Sequence, residues 1–365
     1  MSRSKLKIDR FFLISIGILT IAGFVIFLSA SLGLLTQNGA SFGTVALKQT
    51  ASLAIGIGAF YLFSKIKYGY LKNIALFIFL GAIGINLLLF IPSLSLYHGG
   101  AARWINVGPL SFQPSEFLKI AFIIYLAAWV QYAKDRIKSF KFGLIPYIVI
   151  TAILGALLLA QSDTDTFVII AFTGIIMLLV AGIPLRHIAI AGIIMVLAVA
   201  GVILVRPYAY QRVKVFLEGS GESQGAGYQI NQSLIAIGSG GINGRGFGQS
   251  IQKFGYLPQP TDDSIFAVAG EEFGFIGSIL LVALYVLVAA SIFRIGSRAV
   301  DPFGCMLATG ISTLIITESF LNMSAMLGLV PLSGVPLLFV SHGGTALIII
   351  LAAAGVVANV SKYSK

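Results

Sequence analysis

Ten apolar runs, each close to the roughly 20 residues that a helix needs to cross a bilayer core, constrain the fold of this chain most strongly. They lie at about 11–35, 44–64, 73–92, 115–132, 142–160, 166–182, 187–205, 265–293, 303–320 and 339–360. Hydrophobic residues make up 58% of the 365 residues and charged residues only 10%, which excludes a soluble globular domain and a disordered chain. The sequence therefore predicts an all-α polytopic membrane protein with ten transmembrane helices.

The Lys and Arg residues of the chain lie mainly in the connections that share one predicted side of the membrane. Lys and Arg cluster in alternate connections between the runs, whereas most of the other connections carry almost none. The positive-inside rule then predicts cytoplasmic N and C termini and a large extracytoplasmic loop between helices 7 and 8. The formal net charge of +11 thus reflects topology and does not indicate nucleic-acid binding. The basic clusters are Arg3, Lys5, Lys7 and Arg10; Lys65, Lys67 and Lys72; Lys134, Arg136, Lys138 and Lys141; Arg186; Arg294 and Arg298; and Lys362 and Lys365.

The short links between the runs predict a single membrane domain over residues 1–365. Two extracytoplasmic loops, at about 92–114 and 206–264, are longer than the other links, and long ordered loops over a helical scaffold usually carry function. The single cysteine, Cys305, excludes a disulfide framework within the chain and a cysteine metal site. The first run is too long for the apolar core of a signal peptide, so we expect a retained first helix.

Two adjacent acids, Asp262 and Asp263, precede the eighth run on its outer side. One interpretation is helix capping, with Thr261 or Asp262 as the N-cap and the acids favoured by the helix dipole. The other is general-base catalysis, because a carboxylate at a partly dry interface can have a raised pKa and accept a proton from a hydroxyl nucleophile. Successive residues on a helix point in different directions, so only one of the two acids can easily act as the base.

Four further ionisable residues lie inside apolar runs. Glu271 and Glu272 come two turns after the adjacent acids, at a depth where charges are costly and a paired or functional role is the default. We expect them to give buried polar support, paired with Lys119 or Lys48. Glu116 and Lys119 are i, i+3 neighbours at the start of the predicted fourth helix, which fits either a structural ion pair or a polar floor beneath a substrate.

Arg103 lies in the first outer loop, where its guanidinium suits a bidentate phosphate contact or a lipid headgroup contact. The next helix is predicted to start at Pro114. Arg245 lies in a glycine-rich run, GSGGINGRGFGQS at 238–250, which lacks the Gly-Lys-Ser/Thr signature of a nucleotide P-loop. The run could bring backbone amides to a phosphate or form a re-entrant turn. His342 is a lone histidine, no metal-ligand spacing is present, and the metal content stays unknown.

Four stretches, distributed over nearly the whole chain, match the pattern of one family. They are GGAARWINVGPLSFQPSEFLK at 99–119, GYQINQSLIAIGSGGINGRGFGQSIQKFGYLP at 227–258, DSIFAVAGEEFGFIG at 263–277 and GLVPLSGVPLLFVSHGGT at 328–345. Together with the ten-span topology, they resemble the SEDS family (shape, elongation, division and sporulation). The resemblance implies polymerisation of lipid II, an undecaprenyl-pyrophosphate-linked disaccharide peptide, into peptidoglycan glycan strands on the outer face of the bacterial cytoplasmic membrane, with inversion and without a nucleotide.

The resemblance also implies roles for individual residues. The catalytic aspartate of the family lies in a Pro-Glu-x-His-Thr-Asp-Phe-Ile-Phe stretch, which aligns it with Asp263 and puts Asp262 at the threonine position. The Arg-Arg-Trp-Ile and Gln-Pro-Ser-Glu-x-x-Lys motifs place polar site groups on Arg103, Glu116 and Lys119. A divalent cation could share the charge of the leaving pyrophosphate. The residues expected to stabilise that charge are Arg103, Arg212, Lys214 and Arg245.

The chain departs from the family pattern in three places. Thr261-Asp262 stands where the family has His-Thr, QSDTDT at 161–166 where it has Gln-Pro-Asp-x-Gly-Thr, and SHGGT at 341–345 where it has Ser-Tyr-Gly-Gly-Ser. The departures fall beside the expected catalytic aspartate, just before the sixth apolar run and near the start of the tenth.

The resemblance implies a class B penicillin-binding protein transpeptidase and other membrane proteins of a division or an elongation complex as partners. Two other functions stay open: a lipid II flippase, in which the same polar residues line a passage, and a non-catalytic scaffold of the cell-wall synthesis complex. The polar groups gather on the outer side and not across both leaflets, which favours the polymerase over the flippase. A division role and an elongation role both stay open.

Overall fold

The computed structural model describes residues 7–36, 42–98, 101–107, 110–218 and 225–364, and most of them are helical. Short 3₁₀ segments, Leu32–Thr36, Leu88–Phe90 and Lys134–Lys138, and a π-helical turn, Phe140–Leu144, adjoin the longer helices. The α-helices are α1 Arg10–Ser31, α2 Phe42–Lys65, α3 Gly69–Asn73, α4 Ala75–Leu87, α5 Pro114–Ala133, α6 Ile145–Ala160, α7 Thr164–Val180, α8 Leu185–Val205, α9 Pro207–Glu218, α10 Ala226–Gly240, α11 Ile265–Ser297, α12 Pro302–Met326 and α13 Gly344–Ser361.

The chain is a helical, multi-pass membrane protein. Eight helical stretches in the described ranges are long and apolar enough to cross a membrane, and two shorter apolar helices, Ala75–Phe90 and Thr164–Val180, stand at the third and sixth predicted runs. The eight longer stretches are Arg10–Leu35, Phe42–Lys65, Pro114–Lys138, Phe140–Ala160, Leu185–Val205, Ile265–Ser297, Pro302–Met326 and Gly344–Ser361.

The first long loop adds a small sheet to the helical fold. Strands β1 Ser95–His98, β2 Ala101–Val107 and β3 Leu110–Phe112 pair antiparallel in the order β1-β2-β3. The all-α fold class is thus confirmed for the bundle, and this loop adds a small sheet to it. The physical reason for the sheet is that an extended segment outside the helices satisfies its backbone groups by cross-strand pairing. The second long loop, 206–264, contains two further helices, α9 and α10.

Helices α5, α12 and α13 form the buried centre of the bundle. Most of their residues are enclosed, and α12 packs against α5, α7 and α11. Helix α8, in contrast, buries only His187 and Ala191, so its apolar side chains face outward, as lipid-facing side chains do. Helix α5 begins at Pro114, as predicted, with Glu116 in its first turn.

Helix α11 is broken at Gly274, and the glycine-rich run lies in the break. Gly274 has φ 64° and ψ −163°, a conformation that interrupts helical hydrogen bonding and that glycine adopts readily. The amide of Phe275 donates instead to the carbonyl oxygen of Gly241 at 2.9 Å, and the amide of Arg245 donates to the carbonyl of Glu271 at 3.0 Å. Of the two interpretations of this run, the structure therefore supports a turn that packs into the helical bundle.

Candidate functional site

Asp263 lies in the loop that leads into α11. The side-chain amide of Asn322, on α12, donates to the carbonyl of Asp263 at 2.8 Å and to that of Val335 at 2.9 Å, so it ties this loop to the segment after α12. The Asp263 side chain is half-buried. Burial and, second to it, the neighbouring charge of Asp262 raise the pKa of Asp263 to about 7. A carboxyl group with that pKa exchanges protons near neutral pH, which is what a general base requires.

Two guanidinium groups face the Asp263 carboxylate across a single glycine. A Cβ atom on Gly334 would lie 3.5 Å from Arg212 Nη2, 3.7 Å from Arg103 Nη1 and 3.8 Å from Asp263 Oδ2. Both arginines oppose the rise in the pKa of Asp263. Because residue 334 has no side chain, the space among these three groups stays open. The structure thus brings three of the residues predicted from the sequence to one place.

Each arginine is held by a further contact. Arg212 Nη1 lies 3.1 Å from Asp165 Oδ2, which also accepts a hydrogen bond from the amide of Gly334 at 3.2 Å. Arg103 donates to the carbonyl of Ser162. The Nε atom of Arg103 is buried and has no hydrogen-bond partner within the described part of the chain. A buried, unpaired N–H beside a second guanidinium is suited to an anionic ligand such as a phosphate.

A buried ion cluster lies between α5 and α12. Lys119 Nζ is 2.9 Å from Glu116 Oε1 and 2.6 Å from Glu318 Oε2, and none of the three side chains is more than 4% exposed. The predicted Glu116–Lys119 pair is therefore present, and Glu318 is a second partner that the sequence analysis missed. Glu318 stands one helical turn before Asn322, so the cluster lies on the same face of α12 as the group that holds the Asp263 loop.

Glu271 and Glu272 are both buried, but the partners predicted for them are wrong. Glu271 Oε1 lies 3.4 Å from Arg245 Nε, and Glu272 Oε1 lies 2.7 Å from Lys253 Nζ. The two glutamates face the glycine-rich run and α1, whereas Lys119 is directed between α5 and α12. Lys253 is fully buried although it belongs to a segment that reads as an outer loop, because that segment folds back onto α11.

Lys214 and Arg245 lie apart from Asp263. Lys214 Nζ is 3.7 Å from Glu218 on the exposed side of α9, and Arg245 pairs with Glu271. Neither contributes to the charge that acts on Asp263. Of the four cations expected near a leaving pyrophosphate, the structure brings only Arg103 and Arg212 to the aspartate.

The capping interpretation of the adjacent acids is wrong. Helix α11 begins at Ile265 with Ser264 as its N-cap, so neither Thr261 nor Asp262 occupies that position. The loop folds differently because Asp262 turns toward the segment before α13. There, the Oδ1 atom of Asp262 lies 3.4 Å from His342 Nδ1.

The last predicted apolar run becomes helical only where α13 begins. Phe339 has φ 68°, a left-handed conformation that stops a helix from forming across it. After it, the Ser341 hydroxyl donates to the carbonyl of Asp262 at 2.7 Å, and the His342 amide donates to the carbonyl of Thr261 at 2.8 Å. The segment before α13 therefore forms one wall of the Asp263 loop.

The sequence analysis missed three groups beside Asp263. Asp165 follows a second acid ahead of an apolar run, which is the same signal that singled out the adjacent acids, so it could have been found. Gly334 and Asn322 gave no such signal, because a glycine in a loop and an amide in an apolar run acquire their roles only through tertiary contacts.

The groups around Asp263 do not form a metal site by themselves. The residues that the structure describes contain no cluster of three or more His, Cys, Asp or Glu side chains that could hold a metal ion. A further carboxylate beside Asp263, that of Asp165, is already engaged by Arg212 and by the Gly334 amide. We therefore derive no step of the chemistry through a metal.

Comparison with known proteins identifies the family. A family model for cell cycle proteins of the FtsW, RodA and SpoVE type matches residues 9–365. The probable peptidoglycan glycosyltransferase FtsW of Geobacter sp. (strain M18) is 36% identical over 354 residues, which cover 97% of this chain and 96% of that protein. Stage V sporulation protein E of Bacillus subtilis (strain 168) is 35% identical over 320 residues, which cover 88% and 87% of the two chains.

Solved structures share the fold. A chain from a structure described as "Structural coordination of polymerization and crosslinking by a peptidoglycan synthase complex" superposes with a TM-score of 0.80 at 23% identity, over 98% of this chain and 99% of that one. The rod shape determining protein RodA of Thermus thermophilus superposes with a TM-score of 0.69 at 21% identity, over 98% of each chain. On the family match and the two relatives, the chain belongs to the FtsW/RodA/SpoVE family of cell cycle proteins.

Proposed function

We propose that this chain is a peptidoglycan glycosyltransferase that polymerises lipid II into glycan strands on the outer face of the cytoplasmic membrane. Relatives that are 34% to 36% identical over at least 95% of the chain carry the name of that glycosyltransferase. The observation that carries the proposal is the half-buried Asp263 carboxylate, with its pKa raised to about 7, facing two guanidinium groups across an open space.

The chemistry follows from these groups. Asp263 accepts the proton of the 4-hydroxyl of the acceptor sugar, and the oxygen attacks the anomeric carbon of the donor sugar. The bond between that carbon and the pyrophosphate oxygen breaks, and the electron pair leaves with undecaprenyl pyrophosphate. Attack from the opposite face inverts the anomeric centre. Asp263 then returns its proton to water, which restores the base.

The two arginines supply the fixed positive charge that the leaving group requires. Charge develops on the pyrophosphate as the bond breaks, and pre-positioned cations stabilise it without reorganisation. Arg103 offers its unpaired Nε–H, and Arg212 is held in place by Asp165. We also propose that a divalent cation could bind together with the pyrophosphate and share its charge. Loss of activity with EDTA, restored by Mg²⁺ or Mn²⁺, would support this proposal.

The proposed topology has ten transmembrane helices with both termini in the cytoplasm. The two shorter apolar helices complete the ten, and the alternation of basic links supports the orientation. Asp263, Arg103 and Arg212 then lie on the outer side of the bacterial cytoplasmic membrane. As partners we propose lipid II and a class B penicillin-binding protein, within a division or elongation complex, because one structure of the same fold belongs to a peptidoglycan synthase complex.

The flippase alternative draws on the buried cluster of Glu116, Lys119 and Glu318. A transport passage requires ionisable groups that are accessible to the cargo, whereas Lys119 is enclosed and bonded to both carboxylates. The scaffold alternative predicts the same partners without any reaction.

Purified protein with lipid II, tested with and without a cognate class B penicillin-binding protein, separates these functions. We expect glycan chains on a gel from the wild type, and a loss of about a hundredfold or more in rate for Asp263→Asn, because the asparagine cannot accept the proton. A folded wild-type protein that forms no glycan with its partner would exclude the polymerase. Wild-type rates in Asp263→Asn would move the base to another residue.

A further inference from the structure

A contact pair lies directly beside the proposed base. His342 Nδ1 is 3.4 Å from Asp262 Oδ1, and the two side chains are 33% and 35% exposed. The His342 ring stacks on Phe27 of α1, with centroids 5.8 Å apart. Both residues stand at places where the sequence departs from the SEDS pattern, so this chain carries an ionisable pair at two positions that contact each other.

The backbone around the pair is fixed on both sides. The His342 amide donates to the carbonyl of Thr261, and the Ser341 hydroxyl donates to the carbonyl of Asp262. The Gln49 side chain on α2 donates to the carbonyl of Ser341 at 3.2 Å. The two loops that carry the pair are therefore joined by two hydrogen bonds, and the His342 ring packs on Phe27 of α1.

We propose, on the basis of the function proposed above, that Asp262 and His342 form a positioning pair that sets the charge next to Asp263 and thereby the pH range in which this base is ionised. A histidine is the side chain that ordinarily changes charge between pH 5 and 8. When the imidazole is neutral, the Asp262 anion opposes ionisation of Asp263. When the imidazole is protonated, it compensates that anion, and Asp263 stays ionised at lower pH.

Four charged side chains act on the pKa of Asp263. Asp262 is the second cause, after burial, of the raised pKa of Asp263, and Arg212 on α9, Asp165 on α7 and Arg103 on β2 are the remaining charges that act on it. Phe27 of α1, which stacks on the His342 ring, and Gln49 of α2, which donates to the carbonyl of Ser341, are uncharged. His342 is therefore the ionisable side chain that contacts Asp262.

The test follows the protonation of Asp263 directly. In full-length protein in lipid, the infrared band of the protonated carboxyl group that Asp263→Asn removes is titrated with pH. We expect Asp262→Asn to move the midpoint down by about 0.5–1 pH unit, and His342→Gln to move it up by roughly 0.3 pH unit or more. The double variant should move it down by no more than Asp262→Asn alone, because it also loses the imidazolium charge that favours the Asp263 anion.

The diagnostic result is that the two single variants shift the titration midpoint of Asp263 in opposite directions. Loosening of the loop would instead shift the midpoint in the same direction in both variants. Glu218→Gln is the matched control: it removes an exposed carboxylate of α9 that pairs with Lys214 and is not among the charges that act on Asp263, and it should leave the midpoint unchanged. If the wild type polymerises lipid II, the acid limb of the kcat/KM profile of each variant should shift in the same direction as its infrared midpoint. A midpoint that either single variant leaves unchanged, or that both move in one direction, would overturn the pair, and the infrared readout gives this answer even if no glycan forms.

Discussion

Asp263 experiences two opposing electrostatic influences. Burial and two neighbouring carboxylates favour its protonated form, while Arg212 and Arg103 favour the anion, and the balance leaves the pKa at about 7. A carboxyl group with this pKa exchanges its proton near neutral pH, and the same arginines that limit the rise in pKa face the space for the leaving group. The two arginines therefore have two roles in the proposed reaction: they limit the pKa of the base, and they stabilise the leaving pyrophosphate.

The raised pKa of Asp263 predicts a pH-dependent stability. Its pKa is about 7 in the folded protein against an ordinary value of 3.8, so the folded state binds the proton more tightly. The stabilisation by that proton is complete below about pH 4 and is lost as the pH rises through 7. Asp263→Asn should therefore raise the stability at pH 8, by on the order of 2 kcal/mol, and change it little at pH 4. Melting curves of both proteins at the two pH values give the comparison; equal effects at both would contradict it.

Arg103 should not be replaceable by lysine. If its guanidinium binds the pyrophosphate, Arg103→Lys keeps the charge but loses the planar fork and the Nε–H that has no partner among the described residues. We expect kcat/KM for lipid II to fall by about tenfold or more, with a normal melting temperature. Arg206→Lys is the control, because Arg206 is an exposed arginine that donates to the carbonyl of Leu159. Full activity in Arg103→Lys would reduce Arg103 to a general interfacial charge.

At the scale of elements, α5 and α12 are joined by charge within the bundle. Lys119 compensates only one of the two carboxylates that it contacts, so Glu116 and Glu318 depend on the same ammonium group. The sequence predicted the half of this cluster that lies on one helix, because i, i+3 spacing is visible in the sequence. It could not predict Glu318, since Lys119 and Glu318 are 199 residues apart in the chain and meet only through the tertiary packing of α5 on α12.

Removal of Lys119 should destabilise the bundle strongly. Lys119→Met leaves two buried carboxylates without a cation and should cost about 3–5 kcal/mol, seen as a lower melting temperature and lower yield. Adding Glu116→Gln and Glu318→Gln to Lys119→Met should recover much of the loss. Lys214→Met removes an exposed partner of Glu218 and should change stability by less than about 1 kcal/mol. A stable single Lys119→Met variant would show that the two acids are already neutral.

The break in α11 predicts a sharp difference between two glycines. A Cβ on Gly274 would lie 2.3 Å from the amide nitrogen of Gly244, and its φ of 64° strains any other residue, so Gly274→Ala should cost at least about 2 kcal/mol. Gly192 lies in α8 with no neighbouring heavy atom within 4 Å, so Gly192→Ala should be neutral or slightly stabilising. Thermal melting of the two variants, side by side, tests this; a Gly274→Ala protein as stable as Gly192→Ala would mean that α11 can straighten.

At the scale of the whole molecule, hydropathy and charge were enough to predict a multi-pass helical protein. Eight helices in the described part of the chain fit a membrane span, and the shorter α4 and α7 coincide with two more predicted runs. The sequence also pointed to Asp263, Arg103 and Arg212, which the structure brings together. It failed where a loop folds into the bundle: Lys253 is fully buried, and Arg245 pairs with a helix, because their positions depend on the break at Gly274 rather than on local composition.

The proposed topology is tested by cysteine accessibility. Cys305 is the only native cysteine, so Cys305→Ala gives a background without thiols. In it, Gly225→Cys, before α10, should react with a membrane-impermeant reagent in intact cells, whereas Lys138→Cys, between α5 and α6, should react only after permeabilisation. The reverse pattern would invert the orientation and place Asp263 on the side where the proposed polymer cannot be made.

The broken turn at Gly274 also bears on how the chain is made. The carbonyl of Gly241 that receives the Phe275 amide belongs to residues that leave the ribosome before α11 does. When α11 enters the bilayer, the hydrogen-bond partner of the Phe275 amide is therefore already synthesised and close by along the chain. The amide can be paired without a segment that is synthesised later. The segment that carries the acceptor carbonyl thus precedes, in the chain, the helix whose break it pairs.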